Sequence, residues 1–89
     1  MERIVTVVPE DGLHARPASK FVETANEFDA DVQLGRADSD GLAPAASMLA
    51  VTGLGVAAGE DVRLVAEGDD AEATLDALEA ILSTPEAKQ

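Results

Sequence analysis

The pattern of apolar residues along this chain predicts an α+β domain, ordered βαββαβα, with an antiparallel sheet covered on one face by helices. Three observations carry the prediction. Short β-branched runs, bounded by Gly, Pro and Asp, alternate with stretches whose apolar residues recur at helical spacing. Two of those stretches are long enough for amphipathic helices that can cover a sheet. Finally, 89 residues give room for a single domain, 1–89, with one thin core.

Each element has a local reason. Arg3 to Val8 (RIVTVV) is β-branched and stops at Pro9, which predicts a strand. Glu10, Asp11 and Gly12 make a turn. Ala18, Phe21, Val22, Ala25 and Phe28 then recur at near-helical spacing, and Pro17 suits a first turn, so a helix is expected from Ala15 to Glu27. Asp31 to Arg36 is a second strand, Asp38 to Gly41 a turn, and Leu42 to Pro44 a short third strand. Ser47 to Thr52 reads as a short helix, with Ser47 as its cap and Gly53 as a left-handed C-terminal residue. After the turn Ala58-Gly59-Glu60, a strand runs from Asp61 to Glu67, with Val62, Leu64 and Ala66 on one face. Gly68-Asp69-Asp70 opens the last helix. Its apolar face is Ala71, Leu75, Leu78, Ile81 and Leu82, and Pro85 follows its end.

Composition narrows the function classes. The chain has no cysteine, which excludes disulfides, thiol nucleophiles and thiolate zinc sites. It has no Trp or Tyr and only Phe21 and Phe28, so base-stacking surfaces are lacking. Eighteen acidic against six basic residues give a net charge of −12, which repels a phosphate backbone and argues against nucleic acid as a partner. Apolar runs are too short to span a bilayer and no signal-peptide pattern opens the chain, so a soluble cytoplasmic protein without membrane contact is expected. The acidic balance points to a salt-rich cytoplasm. At molar salt the Debye length falls to about 3 Å and the self-repulsion of such a surface largely disappears. An ordinary acidic domain whose surface excludes partners is the alternative. Asp38, Asp40, Glu60, Asp69, Asp70 and Glu72 do not form a calcium loop, and no metal or organic cofactor is implied.

The segment that carries chemistry is Gly12-Leu13-His14-Ala15-Arg16-Pro17, which holds the only histidine. It lies where a turn becomes a helix. The first turn of a helix leaves backbone N–H groups unpaired at the positive end of the helix dipole, and these favour an anion. His14 offers a nucleophilic imidazole there. Arg16 offers a permanently charged fork suited to phosphate oxygens. Pro17 fixes φ at the helix entry. The residues alone leave two readings open: a histidine that caps a helix beside a surface arginine, or a histidine that accepts a phosphoryl group among donors.

Gly12–Ala18 (GLHARPA) resembles the active-site signature of the HPr family, the histidine phosphocarriers of the phosphoenolpyruvate:sugar phosphotransferase system. Ala46-Ser47-Met48-Leu49 is similar to the family's regulatory-serine segment, Thr52-Gly53-Leu54-Gly55 with Gly59 to the next stretch, and Val65–Ala71 to the last strand-to-helix junction. The resemblance covers nearly the whole chain. It implies an open-faced β-sandwich, a four-stranded antiparallel sheet with three helices on one face. It also implies that His14 takes a phosphoryl group on Nδ1 from Enzyme I and passes it to an Enzyme IIA-type acceptor. Arg16 would stabilise that group, with Ala15 and Pro17 supporting the phosphate. Such a protein is a stoichiometric carrier rather than an enzyme, and a monomer is expected.

The same resemblance assigns partner contacts to Met48 and Leu49, extending to Val51, with Lys20 added as a remaining base near the site; partial packing of this short apolar helix into the core is the alternative reading of the patch. Where the family often carries lysines, this chain has Glu23, Asn26 and Ala50, so apolar contacts would carry more of the docking. Ser47 has two readings: a helix N-cap, or a residue phosphorylated by a dedicated kinase. The lysine that commonly precedes it is Ala46 here. Two other functions stay open: an HPr-like domain in a dihydroxyacetone kinase or regulatory phosphorelay, and a docking module without phosphoryl transfer.

Overall fold

A computed structural model describes residues 1–10, 12, 13 and 15–85, the side chain of Ala15 excepted. The observed order is β1 (Glu2–Thr6), α1 (Ala15–Glu27), β2 (Asp31–Arg36), β3 (Ala43–Pro44), α2 (Met48–Gly53), β4 (Asp61–Glu67) and α3 (Ala71–Leu82). The four strands form one antiparallel sheet in the order β1-β4-β2-β3. The expected βαββαβα order and the α+β class are therefore both observed.

Period-two patterning decides which side of the sheet is covered. Val5 on β1, Val32 and Leu34 on β2, and Val62, Leu64 and Ala66 on β4 are all buried. They meet Phe21 from α1 and Leu75, Leu78 and Leu82 from α3 in a single core. The opposite face carries Glu2, Ile4, Asp31, Gln33 and Glu67 and stays open to solvent. On that face the register sets Asp31 directly against Glu67, two carboxylates across one strand pair. Like charges in that position repel each other.

Several boundaries move from their expected places. The β1 ladder ends at Thr6 rather than Val8. Val7 still donates to the Glu60 carbonyl at 2.9 Å and accepts from Gly59 N–H at 2.7 Å. Val8 then leaves the sheet, and its N–H donates to the Leu82 carbonyl at 2.8 Å, satisfying an orphan acceptor at the end of α3. Phe28 falls just past the end of α1 and is half-buried. Gly53 lies inside α2. The left-handed residue after that helix is Gly55, with φ 65°. On α3, Thr74 is fully buried and Ile81 only half-buried. Thr74 tolerates burial because its hydroxyl donates back to the Asp70 carbonyl at 2.7 Å.

Candidate functional site

The loop between β1 and α1 is held by backbone contacts. Gly12 N–H donates to the Pro9 carbonyl at 2.9 Å, closing the turn, and Leu13 N–H donates to the Val56 carbonyl at 3.0 Å. Gly12 adopts φ 73°, and a Cβ there would run into the Val56 carbonyl oxygen and stand 2.8 Å from the Ala57 Cα. Only glycine meets both conditions. Leu13 is fully buried, which anchors the loop in the core. His14, the central residue of the expected site, lies outside the described residues. So does Asp11 of the expected turn.

From Ala15 onward the chain is helical. Pro17 is buried in the first turn, where its missing N–H leaves no orphan donor. Ala18, Phe21 and Ala25 form the buried face of α1. Arg16 and Lys20 are exposed one helical turn apart, hence on the same side of α1. Among the described residues neither makes an ion pair. The strand cations behave otherwise. Arg3 bonds Asp76 at 2.7 Å and Glu79 at 2.9 Å. Asp76 above all holds the Arg3 guanidinium above its ordinary pKa. Arg36 pairs with Glu60 and lies 3.9 Å from Asp38. Arg63 faces Glu2 at 3.4 Å without hydrogen-bond geometry.

Helix α2 packs against α1. Ser47 caps it: the backbone is extended and the hydroxyl oxygen accepts from Ala50 N–H at 3.2 Å. Met48 and Leu49 are exposed, at 40% and 84%. Val51 is fully buried. This corrects its assignment to the docking patch: in so short a helix one apolar side chain must face the core, and Val51 is that residue. Sequence reasoning missed the role of Val56, whose carbonyl receives Leu13. A lone valine in a glycine-flanked loop gives no signal of that contact.

The arrangement offers an anion a helix start with two cations on its first turns that are unpaired among the described residues, and α2, which packs against α1, carries an exposed apolar pair. Comparisons with known proteins show what the whole chain is similar to. Residues 1–84 match the PTS-HPr family, described as "PTS HPr component phosphorylation site". The chain is 88% identical over 89 residues to a phosphocarrier protein HPr of Haloferax volcanii, covering all of both chains. A phosphocarrier protein HPr of Streptomyces coelicolor is 44% identical over 82 residues, 92% of this chain and 87% of the relative. Among solved structures, a phosphocarrier protein HPr from Bacillus anthracis superposes with a TM-score of 0.85 at 34% identity, covering 92% of this chain and 95% of that one. The Haloferax relative also fits the salt-rich reading of the acidic surface.

Proposed function

This chain belongs to the HPr family of phosphocarriers of the phosphotransferase system, and we propose that it carries its phosphoryl group on His14, received from Enzyme I and delivered to an Enzyme IIA-type acceptor. The imidazole nitrogen attacks phosphorus as the bond to the donor breaks, and the reverse exchange passes the group on. The chain is then a stoichiometric substrate of two partner proteins and not itself an enzyme. Arg16 supplies a permanent charge to the phosphoryl oxygens in transit. Lys20, one turn further along, adds a weaker and more screened attraction. Met48 and Leu49 present the apolar contact for both partners. Ser47 acts as the cap of α2.

The observation that carries the reading is that α1 opens at Ala15, directly after His14 in the chain, with Arg16 exposed and without an ion-pair partner among the described residues. Incubation with phosphoenolpyruvate and the cognate Enzyme I tests it. The intact protein should gain one phosphate in mass, labile to acid, and His14→Ala should gain none. Labelling of the His14→Ala chain at the wild-type rate would sink the assignment.

A further inference from the structure

We propose that Arg36 and Glu60, at opposite ends of the sequence between β2 and β4, form a positioning pair that holds the seat of the histidine loop. The inference rests on the phosphocarrier reading of His14. It starts from Val56. The Val56 carbonyl receives Leu13 N–H, and the Gly12 backbone packs against the same oxygen so closely that no side chain fits between them. Besides the Gly12–Pro9 turn bond and the burial of Leu13, the placement of residues 12 and 13 is thus tied to where residues 54–60 lie.

That segment is a loop, and Gly55 and Gly59 in it both have positive φ, so it has little conformational stiffness of its own. The buried Val56 side chain and the backbone bonds of Gly59 and Glu60 to Val7 hold part of it, and two side chains add to them. Arg36 Nη1 donates to the carbonyls of Leu54 at 3.4 Å and Gly55 at 3.3 Å. Its other terminal nitrogen, Nη2, pairs with Glu60 Oε2. The second Glu60 oxygen, Oε1, accepts from Ala57 N–H at 2.7 Å. Arg36 and Glu60 therefore grip the loop on both sides of Val56, and the ion pair joins the two grips. Neither residue is part of the histidine signature, and among the described residues neither side chain hydrogen-bonds to the segment before α1; Glu60 meets it only through its backbone carbonyl, which receives Val7 N–H. Their effect on transfer is through Val56.

A displacement of reacting groups by about 1 Å can cost two orders of magnitude in rate, so a partial release of the seat should cost roughly tenfold. The experiment uses the full chain in 2 M potassium chloride, well below unfolding. It compares Arg36→Ala, Glu60→Ala and the control Arg3→Ala, which breaks an ion pair between β1 and α3 instead. Phosphoryl transfer from phosphoenolpyruvate through Enzyme I is timed, and the amide resonance of Leu13 is recorded by nitrogen-proton correlation. Expected are a shifted Leu13 amide and roughly tenfold slower transfer in both seat variants, no further loss in the double variant, and neither effect in Arg3→Ala. Glu60→Gln, which keeps an oxygen for Ala57 N–H, should recover part of the rate. Unchanged transfer and an unchanged Leu13 amide in both seat variants overturn the proposal, as does equal slowing by Arg3→Ala. Absence of labelling in the wild-type chain overturns the phosphocarrier reading instead. A Leu13 shift without slower transfer overturns the catalytic half and leaves the seat as structure alone.

Discussion

The cations of the sheet and the cations of α1 are spent differently. Arg3, Arg36 and Arg63 each face a carboxylate, while Arg16 and Lys20 face solvent. On a surface this acidic an unpaired base is unusual, since carboxylates outnumber bases three to one. α1 keeps its first turns clear of them: it has no acidic residue in its first turn, and Glu23 and Glu27 come only later in the helix. The difference teaches that charge on the first turns of α1 is left unpaired among the described residues, where the proposed function would use it, whereas charge on the strands ties elements of the fold together.

The sharpest way to break this comparison is to remove one cation of each kind. Arg16→Ala should slow phosphoryl transfer by about two orders of magnitude and leave the melting temperature within about 2 °C of wild type. Arg3→Ala should do the reverse, lowering the melting temperature by no more than about 5 °C with transfer unchanged. Stopped-flow transfer and calorimetry on the two variants decide it, and a large stability loss in Arg16→Ala would make that residue structural.

The two sides of α2 extend the comparison to apolar residues. Leu49→Asp should weaken Enzyme I docking by about tenfold, equivalent to about 1.4 kcal/mol, with native circular dichroism. Val51→Ala should instead cost about 2 kcal/mol of folding stability and leave docking by the folded protein unaltered. Titration calorimetry with Enzyme I, alongside denaturant unfolding, separates these outcomes.

The smallest effect concerns the open face of the sheet. Raising potassium chloride from 0.1 M to 2 M should raise the melting temperature, as screening and salting-out both favour the compact state. Glu67→Gln removes one partner of the Asp31 repulsion. It should raise the low-salt melting temperature by about 2 °C, with the gain vanishing at 2 M. A melting temperature independent of salt would remove the salt-adapted reading while leaving the carrier reading intact.

Much of this was legible in the sequence, because local rules determined it. Val62, Leu64 and Ala66 alternate and are buried; Ser47 precedes an apolar turn and caps it; Pro17 marks the first turn of α1. What stayed hidden depended on residues far apart in the chain. Whether Met48, Leu49 or Val51 faces inward is set by what α2 packs on, and six residues are too few for periodicity to tell. The left-handed position fell on Gly55 rather than Gly53 because α2 continues through Gly53. The Arg36–Glu60 pair spans two elements and has no spacing signature.

The hydrogen bond from Leu13 to Val56 joins a loop near the start of the chain to one that is built much later. Contacts of such long sequence separation form late when a chain folds, after the cost of closing the intervening loop has been met. A partly folded chain with α1 already wound would still lack the seat on which its histidine loop rests. Competence to be phosphorylated should therefore appear only with the last cooperative step of refolding, and a pulse of phosphoryl donor would count finished molecules.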